Sequence, residues 1–278
     1  MKKNKSVSPI VKWVGGKRQL LPKIKNYIPL EIATFYEPFL GGGAVLFDIQ
    51  PCNAVVSDIN SELINLYKVV KDDVESLIED LSKHKNDSSY FYEIRSLDRD
   101  KNTYKKLSNI ERASRIYYLN KTCYNGLFRV NQLGQFNAPF GKYKNPNFTN
   151  PNILRAVSEY FNESNIEFKC VDFEEAIVGI RKGDFVYFDP PYDPISDSAN
   201  FTGYAKGGFN RDEQIRLKIL CDQLTEKGVK LLLSNASTEF ILDLYRDYNI
   251  EFIKAKRAIN SNGDERGEVD EVLVRNYD

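Results

Sequence analysis

Two periods of hydrophobic patterning alternate along the chain. Apolar runs of strand length stand at 34–39, 54–58, 166–171, 185–188, 229–233, 250–258 and 269–274. Stretches of helical period lie between them. A short amphipathic helix is expected at 20–27. A longer one follows over 60–84, where Leu63, Tyr67, Val70, Leu77 and Leu81 share one face, and another over 110–120. A helix from Asn210 or Asp212 runs to a stop at Gly228, and a last one covers 240–248. Strand followed by helix, repeated, predicts an α/β fold built on a largely parallel sheet. Helical period alone fills the region from about 61 to 160, so this region reads as an insertion, with 1–60 and 161–278 forming the sheet-bearing part. The last two runs, joined only by 259–268, are expected to be antiparallel neighbours.

With 278 residues and 42% hydrophobic content, the chain is long enough to bury a sizeable core. No apolar run approaches the roughly 18–20 residues needed to span a bilayer, and the lysine-rich start leads into a glycine-containing segment rather than an apolar signal core. The expectation is a cytoplasmic protein without a membrane partner. Four cysteines stand singly and only one histidine, His84, is present, so no metal site is expected and the thiols should be reduced and mostly buried.

Net charge is zero, with 39 basic and 39 acidic residues, yet the charge is unevenly placed. The first 25 residues carry eight cations and no acid, and residues 95–148 carry eleven cations against three acids. The rest must then sum to −16. Two basic segments on an otherwise acidic chain suggest a polyanionic partner.

The most distinctive chemistry lies where the run 185–188 meets Asp189-Pro190-Pro191-Tyr192. Two prolines lack N–H groups and hold the backbone extended, leaving carbonyls free to accept hydrogen bonds. A carboxylate, a free carbonyl and an aromatic ring can grip a flat heterocycle bearing an exocyclic amine, such as adenine or cytosine. Upstream, the run 34–39 ends at Glu37-Pro38-Phe39 and turns through Leu40-Gly41-Gly42-Gly43 into a helix. Leu46 stands where a dinucleotide fingerprint needs its third glycine, and no Gly-Lys-Ser/Thr follows, so neither a pyrophosphate nor a phosphate loop is indicated. The next run ends at Asp58, placed to hold ribose hydroxyls. An adenosine-containing cofactor without a pyrophosphate fits this order. Trp13, between Lys12 and Lys17 and beside Gly15-Gly16, can stack on an aromatic ligand. The segment 122–143 mixes amides, aromatics, glycines and cations, with hairpin signals at Asn125-Gly126 and Leu133-Gly134. Arg129, Asn131, Gln132 and Gln135 have the forks that read base edges, and Tyr124, Leu127 or Phe128 can wedge into a base stack.

Lys12-Trp13-Val14-Gly15-Gly16-Lys17, Glu37-Pro38-Phe39-Leu40-Gly41-Gly42-Gly43, Asn125-Gly126-Leu127-Phe128-Arg129-Val130-Asn131 and Asp189-Pro190-Pro191-Tyr192 occur in that order. In this the chain resembles the Dam-type, D12 class DNA adenine-N6 methyltransferases, with its nearest likeness to the DpnM-like branch. Ala199-Asn200-Phe201-Thr202 and the segment 269–274 extend the likeness. The resemblance implies a Rossmann-like seven-stranded methyltransferase sheet with its last strand antiparallel, a helical target-recognition insertion at 61–160, and a bacterial or phage source. It also implies S-adenosyl-L-methionine as cofactor and double-stranded DNA as partner, methylated at the adenine of GATC, with a cognate restriction endonuclease as a candidate second partner. Family cofactor contacts fall on Trp13, Lys17, Asp58 and Asp189, to which the residue reading adds Glu37, Phe39, Gly41, Gly43 and Asp172. Base recognition falls on Lys12, Leu127, Arg129, Asn131 and Pro139, joined by Tyr124, Asn125 and Lys142. Asp189, Pro190 and Tyr192 are the expected catalytic group, with no metal. Phe128 is assigned no role. The polar loop 193–209 is expected to act as a lid beside Asp189.

Overall fold

A computed structural model of the chain describes residues 3–13, 15–194, 208–256 and 268–278. Seven strands form one sheet: β1 (Phe35–Glu37), β2 (Asn53–Ser57), β3 (Asn165–Lys169), β4 (Phe185–Phe188), β5 (Lys230–Ala236), β6 (Asn249–Lys256) and β7 (Glu268–Arg275). Their spatial order is β3-β2-β1-β4-β5-β7-β6. Every pairing is parallel except the two made by β7, which slots antiparallel between β5 and β6. The expected Rossmann-like arrangement is therefore present, and the last two strands are antiparallel neighbours as expected. The continuation of β6 past 256, the loop 259–267, most of the expected lid (195–207) and the 199–202 segment lie outside the described residues.

The helices are α1 (Leu21–Tyr27), α2 (Ala44–Ile49), α3 (Ser61–Asp72), α4 (Val74–Ser82), α5 (Ser88–Ser96), α6 (Lys101–Tyr104), α7 (Asn109–Thr122), α8 (Pro151–Glu163), α9 (Phe173–Ala176), α10 (Arg211–Glu226) and α11 (Glu239–Leu244). The single helix expected over 60–84 is broken at Asp73, whose carboxylate accepts from the Ser76 N–H and so starts a new helix. Periodicity missed this because the apolar face continues across the break. The short helices α5 and α6 were not foreseen either. Each begins at an aspartate cap, Asp87 or Asp100, with too few apolar positions to show a period.

One buried cluster runs from the β1, β2 and β3 face of the sheet through α3, α4 and α8 to α5, α7 and the 122–143 hairpin. Stacked rings carry it across: Tyr67 of α3 lies on Phe168 of β3 at 5.6 Å, and Phe161 of α8 on Phe47 of α2 at 5.8 Å. Helices α3 and α8 thus pack on the sheet and share one core with α4, α5 and α7. A second cluster, around Phe188, Leu217, Leu224, Leu231 and Tyr245, fills the other face under α10 and α11. Of the cysteines, Cys123 and Cys221 are buried while Cys52 and Cys170 are exposed, so the expectation of mostly buried thiols holds for half of them. Among the described residues no helix is long and apolar enough to cross a membrane.

Candidate active site and nucleic-acid interface

Parallel strands bring their C-terminal ends to one edge, and β1, β2 and β4 there deliver Glu37, Asp58 and Asp189. Asp189 follows four fully buried residues of β4. Its Oδ1 accepts from Lys17 Nζ at 2.7 Å and from Ser234 Oγ on β5 at 3.0 Å. Lys17, 5% exposed, also donates to the Gly15 carbonyl at 2.8 Å and lies 4.5 Å from the centre of the Tyr192 ring. One ammonium therefore sits on both the carboxylate and the ring face expected to hold a planar amine. Burial pushes the Asp189 carboxyl up, against the opposing pull of Lys17 and Ser234.

The backbone after Asp189 is fixed by partners distant in sequence. Gln214 of α10 donates to the Pro191 carbonyl at 2.8 Å and accepts from Asn235 Nδ2 at 3.0 Å. Asn235 in turn accepts from the Asp193 N–H at 3.1 Å. Asp193 is buried and holds Arg211 at 3.0 Å and the Thr238 hydroxyl at 2.7 Å. Tyr192 donates to Glu271 of β7 at 2.8 Å, which orients its ring. The Pro191 carbonyl is thus taken by the protein itself.

The glycine turn is held from both sides. Gly41 N–H donates to Asp58 at 3.0 Å, and the Tyr67 hydroxyl donates to the Gly41 carbonyl at 2.9 Å. Gly41 and Gly43 have φ of 48° and 66°, the left-handed region that favours glycine. Gly41 must also stay bare because a Cβ there would stand 2.8 Å from Trp13 Cδ1. Glu37, 2% exposed, accepts from the Leu46 N–H of α2, and burial together with the Asp189 charge raises its carboxyl well above the ordinary value. Asp58 is raised by burial too, while the N–H groups of Asn60 and Gly41 oppose the rise. Phe39 packs on Phe173 at 5.4 Å and Phe209 at 5.6 Å. Asp172 is differently engaged: it caps α9 and pairs with Arg216 at 2.8 Å.

Trp13 connects this pocket to the hairpin. Its ring stacks on Phe128 at 4.6 Å with 19° between the planes, and Phe128 is only 4% exposed. Asn120 of α7 adds a second tie by exchanging hydrogen bonds with both backbone groups of Lys12 at 2.9 and 2.8 Å while also donating to the Gly126 carbonyl. Lys12 lies along Gly126, where a Cβ would come within 2.5 Å of Lys12 Cδ.

Within the hairpin, Asn131 N–H donates to the Gln135 carbonyl and Asn137 N–H to that of Arg129, both at 2.9 Å. The side chains close the same turn: Asn131 bonds Gln135 at 2.9 Å and Arg129 Nε bonds Asn137 Oδ1 at 2.8 Å. Arg99 and Arg95 fasten its second limb through the Phe136 and Ala138 carbonyls. Tyr124, 58% exposed, is the most prominent ring, and its N–H meets the Pro139 carbonyl. Leu127 is half-buried, Lys142 is exposed, and Asn125 has a φ of 57°. The basic stretch is less free than its charge suggests. Arg99 and Arg115 pair with Asp98, and Arg112 with Glu62, leaving Lys101, Lys105, Lys106, Lys142 and Lys144 exposed.

Sequence reasoning missed Asn120, Gln214, Ser234 and Glu271, and it offered Phe128 as a wedge where the structure buries that ring against Trp13. Ser234-Asn235 at the end of an apolar run was a signal, since buried polar side chains need partners. Nothing local marks Asn120 or Gln214.

Comparison with known proteins bears on this geometry. Residues 13–259 match the model of the D12 class N6 adenine-specific DNA methyltransferases. The type II methyltransferase M1.LlaDCHI of Lactococcus lactis subsp. cremoris is 45% identical, over 100% of this chain and 98% of that protein. M.MjaIII of Methanocaldococcus jannaschii is 41% identical, with 98% and 99% covered. The DNA adenine methylase of Escherichia coli K12 is 34% identical, with 99% and 96% covered. With Asp189, Glu37 and Asp58 gathered at one sheet edge and nearly the whole chain matched, the protein belongs to the D12 class N6 adenine-specific DNA methyltransferases.

Proposed function

We propose that the protein transfers a methyl group from S-adenosyl-L-methionine to adenine N6 in double-stranded DNA, within GATC, and that the adenine is flipped out of the helix to be reached. The carrying observation is the convergence of Asp189 and Tyr192 with the glycine turn and Asp58. The residues fit that cofactor. Asp58 is a half-buried acceptor for ribose hydroxyls, Trp13 and Phe39 are flat apolar neighbours of the turn, and Glu37 and Asp189 are carboxyl acceptors for an ammonium. When bound, S-adenosyl-L-methionine supplies an electrophilic methyl group.

The chain's own task is positioning. Tyr192, with its hydroxyl tied to Glu271, offers a ring face to the flipped base. Asp189 and the Pro190 carbonyl accept from the exocyclic amine and turn its lone pair out of conjugation. N6 gains the methyl group and passes one proton to the Asp189 carboxylate bonded to it, from which the proton exchanges with solvent. Alignment of this kind supplies on the order of 7–11 kcal/mol of barrier reduction. Flipping costs a few kcal/mol, and it is supported by exposed Tyr124 and by Leu127 and Asn125 at the hairpin base, next to the pocket through Lys12. Arg129, Asn131, Pro139 and Lys142 belong to the same reading surface. The Type II relatives support a restriction endonuclease of the same specificity as partner.

Asp189→Ala tests the reading. Single-turnover methylation of a GATC duplex should fall by at least about 10²-fold with DNA binding retained. Turnover at the wild-type rate refutes the role of Asp189, and equal methylation of duplexes lacking GATC refutes the site.

A further inference from the structure

Ser234 follows the apolar run Leu231, Leu232 and Leu233 of β5 and has no solvent exposure. A hydroxyl in such a place is retained only with partners. Its hydroxyl bonds Asp189 Oδ1 and the Tyr187 hydroxyl, both at 3.0 Å, and lies near the Tyr192 hydroxyl, whose own hydrogen goes to Glu271. The proton count fixes the direction of the chain. An ionised carboxylate only accepts and serine has one hydroxyl hydrogen, so that hydrogen goes to Asp189 and Tyr187 donates to Ser234. Tyr187 stays protonated, since burial and the nearby Asp189 charge raise its phenol well above the ordinary value. Lys17 lands on the same oxygen at 2.7 Å, so both donors converge on Oδ1.

We infer that Ser234 is a positioning residue for methyl transfer: with Tyr187 behind it, it fixes Oδ1 of Asp189 and presents Oδ2 to the adenine amine. The inference rests on Asp189 being the amine's acceptor. It differs from a packing role because it couples Ser234 to the ionisation of Asp189. Around that carboxyl stand Lys17 from the N-terminal segment, Glu37 at the end of β1, Tyr187 on β4, Tyr192 in the following loop and Glu271 on β7 beyond it. Of these, Lys17 favours the charged form and Glu37 opposes it when ionised. Ser234 is a neutral donor that also favours it. Ser234 holds the carboxylate from within the sheet, and Lys17 from the N-terminal segment.

The test is single-turnover methylation of a GATC duplex over pH 5–9, with cofactor and DNA affinities measured in parallel, for Ser234→Ala, Tyr187→Phe and Asp189→Ala. Ser234→Ala should lower the transfer rate of the bound complex about tenfold, as loss of one hydrogen bond to a charged group implies. The acid limb of its profile should move to higher pH, because the charged form of Asp189 loses a donor. Tyr187→Phe should lower the rate about two- to threefold, with a smaller movement in the same direction, and it decides the matter by itself where Ser234→Ala fails to fold. An unmoved acid limb overturns the inference, as does a loss of activity accounted for by weaker cofactor or DNA binding alone. If Asp189→Ala transfers at the wild-type rate, the reading of Asp189 has failed. If Asp189→Ala is inactive while Ser234→Ala behaves as wild type, only the role of Ser234 has failed.

Discussion

The pocket at the end of β4 and the hairpin at 122–143 are both polar and glycine-bearing, but they are held in opposite ways. In the pocket the partners come from afar: Lys17 and Ser234 meet at Asp189, Glu271 reaches Tyr192, and Gln214 reaches Pro191. In the hairpin local side-chain bonds close the turn, Asn131 with Gln135 and Arg129 with Asn137, and Arg95 and Arg99 add support to its second limb. A site assembled by the sheet inherits the sheet's rigidity, which suits chemistry that needs alignment. A hairpin whose turn is closed by its own side chains presents them in a fixed arrangement, which suits a surface that reads sequence. The two meet at the Trp13–Phe128 stack.

Breaking that junction should have the largest effect. Phe128→Ala should lower the unfolding free energy by about 3–5 kcal/mol, as expected for a buried aromatic, and weaken cofactor binding by freeing one face of Trp13. Denaturant unfolding and calorimetric titration with the cofactor measure both. Unchanged cofactor affinity would show that pocket and hairpin are independent.

Arg129→Ala addresses the hairpin alone. Discrimination between GATC and near-cognate duplexes should shrink by about 1–3 kcal/mol, while cofactor affinity stays at the wild-type level because the turn retains its Asn131–Gln135 bonds. A wild-type preference ratio removes Arg129 from the reading surface.

The smallest effect belongs to Glu37→Gln, which probes the pocket's electrostatics. Unfolded, Glu37 ionises near its ordinary value of 4.5, whereas in the fold burial and Asp189 keep its proton on to higher pH. The stability associated with neutral Glu37 is therefore full below pH 4.5 and is lost as pH rises through the raised value. A glutamine cannot ionise and still accepts from Leu46. The wild-type Tm should thus fall relative to the variant as pH rises above 4.5, by roughly 2–4 °C for each kcal/mol involved. A pH-independent difference would mean that Glu37 is ionised in the fold.

Much of this was legible in the residues. Strand-length apolar runs gave the seven strands to within a few positions, because a parallel sheet covered on both faces needs nearly continuous hydrophobic segments. Asp189 to Tyr192 stood out because two prolines after a buried strand have few structural uses, and the glycine turn was visible for the reason that left-handed backbone favours glycine. The break at Asp73 was hidden under a continuous apolar face. The guanidiniums of Arg99, Arg112 and Arg115 looked like phosphate ligands because charge counts cannot distinguish a solvated cation from one paired internally.

By itself, then, the sequence determined the elements, the α/β class and the residue types of the site, since these follow from local period and backbone chemistry. Only the tertiary structure decided that β7 inserts between β5 and β6, carrying Glu271 to Tyr192, and that Phe128 covers Trp13. It alone gave Asp189 its donors from residues 172 and 45 positions away. Partners that far apart in sequence leave no periodic trace. What brings them together is the packing of the sheet and of the N-terminal segment against it.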